Sequence, residues 1–284
     1  MKRLDIIRRA YRNLRQSKAR TILTALAIAV GATTICLALA AGNGGRDYIE
    51  GMVSDVNTQE LTVYGEIENG DMAVISPEVE ARIRALPEVE SIETDAGQYE
   101  DKAEVRYITA KVREGVDTRE VQSKVDDFSD KIVTNSVYDT RKSLFEAINV
   151  AQWGLIGFGA LAILASVFGI INTQYISVLE RTREVGLMKA LGMRRKDIAR
   201  LFRYESAWIG FLGGAIGVIV ACLITLLNPL ISDFLNLNGV QILRIDFVQA
   251  LILILGLMIV AVLSGWFPAQ KAAKLDPIEA LRTE

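Results

Sequence analysis

The densest chemistry in this chain lies in ERTREVGLMKALGMRRKDIARLF, residues 180–202. Arg181, Arg183, Lys189, Arg194, Arg195, Lys196 and Arg200, with Arg203 just beyond, place eight cations in one short connection. The groups that would make such a cluster catalytic are missing. The chain has no His, the commonest general base and metal ligand. It has no GxxxxGK[ST] phosphate loop, so it does not hydrolyse ATP by that route, and no GxSxG, HExxH or CxxC. Cys36 and Cys222 both lie in apolar runs and read as small apolar residues, not as a disulfide or zinc ligands. No enzyme, metal or bound cofactor is expected.

The elements that hold this cluster are apolar. The chain is 51% hydrophobic with mean hydropathy +0.27, which fits a membrane protein with a sizeable polar part. Four runs carry no Asp, Glu, Lys or Arg: 21–45, 147–179, 206–232 and 247–270. Each exceeds the roughly 20 residues that span a hydrocarbon core, giving transmembrane helices at 21–42, 147–179, 206–232 and 247–268. A basic start and an ALA tripeptide at 38–40 give the first run a signal-peptide look. Its length exceeds the roughly 7–15 residues of a signal h-region, so it is read as a retained span. The second run would make a helix of about 50 Å against a core of about 30 Å. It either projects as a stalk or breaks near Gly157 or Gly159. With no Asp, Glu, Lys, Arg or His inside the runs, a secondary transporter or channel is disfavoured. Gly210, Gly213, Gly214 and Gly217 give two GxxxG spacings, for packing within one subunit or between two.

Charge sets the topology. Residues 1–20 hold eight Lys/Arg, and Leu4, Ile7, Tyr11 and Leu14 recur among them at helical spacing. They read as an amphipathic helix on the membrane surface or on a partner. The 180–205 connection is equally basic, whereas 233–246 holds only Arg244. By the positive-inside rule, both termini and the 180–205 connection are cytoplasmic, and 43–146 and 233–246 lie outside. Trp153, Trp208 and Trp266 fall near run ends, where indoles favour the interface.

Residues 43–146 are about right for one small domain. SPEVEARIRALP predicts a helix with Ser76 as cap, Pro77 in the first turn, Val79, Ile83 and Leu86 as stripe, and Pro87 as stop. DTREVQSKVDDF repeats the device, with Asp117 or Thr118 as cap and Val121, Val125 and Phe128 as stripe. Candidate strands lie at 60–65, 89–94, 105–112 and 131–138. The order βαββαβ predicts a ferredoxin-like α+β sandwich. Its acids, 24 against 12 bases, read as a solvated surface and not as a cation site. At the other end, LDPIEALR predicts a capped helix start, with Asp276 as cap, Pro277 first and Glu279 closing the box.

ERTREVGLMKALGMRRKDIARLFRYES with the glycine-rich run after it, the ending GWFPAQKAAKLDPIEALRTE, and ARTILTALAIAVG in the first run together resemble the FtsX-like/MacB-type permease family. These are membrane subunits of ABC transporters of the mechanotransmission type. The resemblance covers roughly 19–42 and 150–284.

It implies an α-helical membrane protein with four transmembrane helices and one extracytoplasmic domain between the first and second. It also implies multi-pass placement in a bacterial or archaeal cytoplasmic membrane. The implied partners are a separate ABC ATPase that binds the ATP, a second permease copy or paralogue, membrane lipids, and an extracytoplasmic adaptor or hydrolase; no nucleic acid is implied. A coupling helix maps onto 193–202. The implied ATPase-coupling interface is Glu180, Arg181, Arg183, Glu184, Gly192, Met193, Arg194, Arg195, Lys196, Asp197, Ile198, Leu201 and Phe202. Two departures stand out. The 104 residues of 43–146 leave no room for the second subdomain of the larger members, and Arg194 replaces the Ser often found there. Export or extraction of an amphiphile is the leading functional expectation. Activation of an extracytoplasmic cell-wall hydrolase, and a membrane protein with no ATPase, are the alternatives.

Overall fold

The computed structural model describes residues 3–16, 18–54, 59–68, 71–94, 105–234, 241–276, 278 and 280. Along the chain run α1 (Arg3–Gln16), α2 (Lys18–Ser54), β1 (Glu60–Gly65), β2 (Ile67–Glu68), β3 (Asp71–Met72), α3 (Pro77–Arg84), β4 (Val89–Thr94) and β5 (Tyr107–Val112). They are followed by α4 (Thr118–Asp126), β6 (Ile132–Ser136), α5 (Val137–Glu180), α6 (Thr182–Ala190), α7 (Arg195–Thr225), α8 (Asn228–Phe234), α9 (Phe247–Ser264) and α10 (Trp266–Lys274). Two compact units emerge: one of residues 1–45 and 149–284, the other of 46–148.

Among the described residues, four helices are long and apolar enough to cross a membrane: Lys18–Met52, Val137–Glu180, Arg195–Thr225, and Phe247–Lys274, which takes in α9 and α10. α5 is unbroken through Gly157 and Gly159; its 44 residues make about 66 Å of helix. Gly159 is a packing residue, since a Cβ there would run into Ile35 of α2. The four expected packing glycines divide between two neighbours within the chain. A Cβ on Gly210 would meet Ala261 and Leu257 of α9, and one on Gly214 would touch Leu257 and Ile254. A Cβ on Gly213 would meet Ile28 of α2 at 2.6 Å, and Gly217 lies as tightly against Ala32. One spacing therefore serves each face of α7, and Ile28, Ala32, Ile170, Ile209, Leu257 and Ala261 close the bundle core.

α1 packs on α7 through Ile6, Ala10 and Asn13, all buried. Ile7 is only half-buried, and the side chains of Leu4, Tyr11 and Leu14 lie outside the described residues. The face that α7 covers runs Ile6–Ala10–Asn13, and its last member is polar.

The 46–148 unit is built on a sheet of order β4-β5-β1-β6, antiparallel throughout. Leu61 and Val63 of β1 alternate inward and meet Ile108, Ala110 and Val112 of β5, with Val79, Ile83, Val121 and Val125 of the two short helices. Both helices are capped from sequence: Ser76 Oγ accepts from Val79 N at 3.4 Å, and Asp117 Oδ1 from Arg119 N at 3.0 Å. The sequence did not foresee the β2–β3 hairpin, whose Ile67 pairs with Met72. α5 begins directly after β6 with a reciprocal cap. Asp139 N donates to Ser136 Oγ at 3.2 Å, and Ser136 N donates to Asp139 Oδ2 at 3.3 Å.

Candidate functional site

The 180–205 segment folds as a joint of helical pieces. α5 ends at Glu180, Arg181 is the turn, and α6 starts at Thr182. Thr182 Oγ1 donates back to the carbonyls of Val178 and Leu179, at 3.1 and 2.9 Å. Such back-bonding competes with the helical ladder and bends the chain where it occurs. α6 closes in a Schellman motif: Met193 N donates to Met188 O at 2.9 Å and Gly192 N to Lys189 O at 3.0 Å. Gly192 sits at φ 87°, a left-handed conformation that a Cβ makes sterically costly and that glycine adopts freely. Arg194 then caps α7 in extended backbone without a side-chain bond, as expected from the missing Ser.

The 193–202 stretch, onto which the resemblance maps a coupling helix, is helical from Arg195. Residues 195–202 are the first turns of α7, which continues to Thr225 because no Gly or Pro interrupts it before the apolar run. The stripe of Ile198, Leu201 and Phe202 differs from an exposed docking face. These residues are 0%, 2% and 2% exposed. Ile198 and Phe202 pack against Val178, Val185, Ala269, Ala272 and Ala273, and Leu201 packs against Ile6 and Ala10 of α1. Met193 is half-buried beside the first of these clusters. Three side chains of the expected interface are therefore the interior of the joint.

What the joint exposes is Arg183, Glu184, Arg194, Arg195 and Lys196, together with Leu187 and Leu191. Leu187 is 53% and Leu191 79% exposed, four residues apart, hence on one helical face. Sequence reasoning passed over both, although their spacing was visible. Asp197 is half-buried and accepts from Arg200 at 3.2 Å.

Polar contacts fasten the joint on its other sides. Arg20 of α2 holds Glu180 through two hydrogen bonds, 2.7 and 3.0 Å. Arg181 donates to Glu205 Oε1 at 3.2 Å and to the Asn13 carbonyl at 2.9 Å, while Asn13 Nδ2 donates to the same Oε1 at 2.7 Å. Glu205 is 2% exposed. Lys189 Nζ donates to the Leu275 carbonyl after α10. Burial holds its pKa below the ordinary lysine value, with Arg195 adding to the effect and Asp276 opposing it. Asp276 Oδ1 accepts from Ile278 N at 2.8 Å, the expected cap; Pro277 and Glu279 lie outside the described residues. Glu205, Asn13, Arg20 and Lys189 had no signal in periodicity, because each matters only through a partner distant in sequence. Among the described residues no acidic or cysteine cluster could hold a metal ion.

Residues 156–277, from within α5 through the joint to the segment after α10, match the family described as FtsX-like permease C-terminal. Over 183 residues the chain is 33% identical to the macrolide export ATP-binding/permease protein MacB of Syntrophobacter fumaroxidans, covering 64% of this chain and 24% of that protein. The chain belongs to the FtsX-like/MacB-type permease family. The permease is also 40% identical over 148 residues to the ABC transporter permease YtrF of Bacillus subtilis, covering 48% of this chain and 33% of the other. It is 31% identical over 206 residues to an ABC transporter permease of Methanocaldococcus jannaschii, covering 67% and 49%. The permease thus spans about half or less of the length of these relatives. With its four long apolar helices it is a multi-pass membrane protein of the ABC permease kind.

Proposed function

We propose that this permease couples ATP hydrolysis on a separate ATPase subunit to movement of its 46–148 unit, and so drives export or extraction of an amphiphilic substrate. The observation that carries this reading is the joint. An unbroken 44-residue helix, α5, ends on residues fastened by ion pairs, and the next two helices expose cations and two leucines. In this reading the ATPase docks on Arg183, Glu184, Leu187, Leu191, Arg194, Arg195 and Lys196, with Gly192 setting the turn between the helices. The buried Ile198, Leu201 and Phe202 keep that surface stiff.

Both termini and the joint face the cytoplasm in this proposal, because their bases outnumber those of 233–246. The 46–148 unit then lies outside as a ferredoxin-like domain, a reading supported by its antiparallel four-stranded sheet, whose strands alternate with the two short helices as β1-α3-β4-β5-α4-β6 once the β2–β3 hairpin is set aside. A second permease copy or paralogue completes the complex. The amphiphile reading draws on the relative named for macrolide export.

Reversing Arg194, Arg195 and Lys196 to Glu tests the docking surface. The triple variant is expected to insert in the membrane at normal yield and to lose ATPase co-purification. Undiminished co-purification with normal turnover would remove the joint as the docking site.

A further inference from the structure

We propose that Glu205, Arg181 and Asn13 are positioning residues that bind α1, the α5–α6 bend and α7 into one mechanical body, so that force applied to the exposed face of α6 and α7 reaches α5. The proposal rests on the ATPase-docking reading above. Its basis is a closed triangle of contacts. Glu205 Oε1 accepts from both Asn13 and Arg181, and Arg181 also donates to the Asn13 carbonyl, so each residue touches the other two. The three belong to three different segments, 168 and 192 positions apart at the widest. All are withdrawn from solvent: Asn13 is 8% exposed and the Arg181 side chain 13%.

Position gives the triangle its meaning. Arg181 is the turn between α5 and α6, with φ −108° and ψ 17°, so its guanidinium bears on the angle at which α6 leaves α5. The apolar contacts around the triangle, Ile6 and Ala10 against Leu201, slide with little directional preference. A shared carboxylate oxygen does not, because hydrogen bonds weaken steeply off axis. Burying an ion pair is a poor way to gain stability, since apolar groups of the same volume do as well or better. Fixing one arrangement of three helices is what this pair adds.

The test uses the full-length permease with its co-purified ATPase in lipid nanodiscs, and the Glu205→Gln variant. Gln keeps the shape and an acceptor for Asn13 but offers Arg181 no charge. Glu205→Gln is expected to bind the ATPase as wild type does while losing about tenfold of the permease's effect on ATP hydrolysis, within the range of ordinary coupling free energies. In the permease alone, spin labels at Arg12 of α1 and Leu187 of α6 are expected to give a narrow distance distribution in wild type and a broad one in the variant. Leu257→Ala, a bundle-core change that lowers the melting temperature without touching the triangle, is expected to keep the wild-type effect. Wild-type-like coupling in Glu205→Gln, or equal loss in Leu257→Ala, overturns the proposal. A wild-type permease that binds no ATPase overturns the functional reading itself, and this inference with it.

Discussion

The two ends of α5 are held by different physics. At the Val137 end the hold is local: Ser136 and Asp139 cap one another across three positions, and Gln122 of α4 donates to Asp139 Oδ2 at 2.7 Å from 17 positions away. At the Glu180 end the partners are Arg20, Asn13 and Glu205, and the first two lie 160 and 168 positions from the residues they hold. The first end settles where a helix starts. At the second, the bend that Thr182 makes locally is joined by contacts from α1, α2 and α7 that no local motif supplies.

The strongest way to break this contrast is Glu205→Ala. It leaves the Arg181 guanidinium buried without its counter-ion, a loss of about 3–5 kcal/mol. The expected readout is a large fall in melting temperature of the full-length protein in detergent, together with lower yield. A loss under about 1 kcal/mol, the exposed-pair range, would mean that the joint behaves as surface, and the two ends would be alike.

The opposite end sharpens the comparison with a smaller effect. Asp139→Ala removes the acceptor for Ser136 N, Ser136 Oγ and Gln122, and is expected to cost about 1–2 kcal/mol, as losing a helix cap does. Amide hydrogen exchange is expected to quicken over the first turn of α5 and the neighbouring α4, and to stay unchanged over 180–205. Faster exchange at the joint would mean that disturbance at one end travels along the helix.

Legibility from sequence follows the same division. β1 and β4 were readable to the residue at 60–65 and 89–94, because alternation and flanking turns are local signals. So was the cap Ser76, while the second cap was open between Asp117 and Thr118 and falls to Asp117. The β2–β3 hairpin escaped, since two-residue strands have no period to detect. At the joint, the basic cluster and the apolar stripe were visible, but the stripe's destination was not. Ile198, Leu201 and Phe202 look the same in sequence whether they meet an ATPase or α1, α5, α6 and α10. Glu205 sat at the edge of an apolar run and read as its boundary; only the fold brings Asn13 and Arg181 to it.

The smallest expected effect tests the comparison within the Glu180 end. Arg20 and Glu180 make a two-bonded pair, yet their side chains are 31% and 54% exposed, so water competes for both. Arg20→Ala is expected to cost about 0.2–1 kcal/mol. Because the Debye length falls from about 10 Å at 0.1 M salt to about 3 Å at 1 M, the difference from wild type is expected to shrink as salt is raised. The loss in Glu205→Ala, shielded by protein on all sides, is expected to persist. Melting curves of the two variants at low and high salt separate the cases. If Arg20→Ala proves as costly as Glu205→Ala and as indifferent to salt, then the outer pair is as much a part of the joint as the inner one. The lock on α5 would then extend across Glu180 as well as Arg181, and α2 would move with the body formed by α1, α6 and α7.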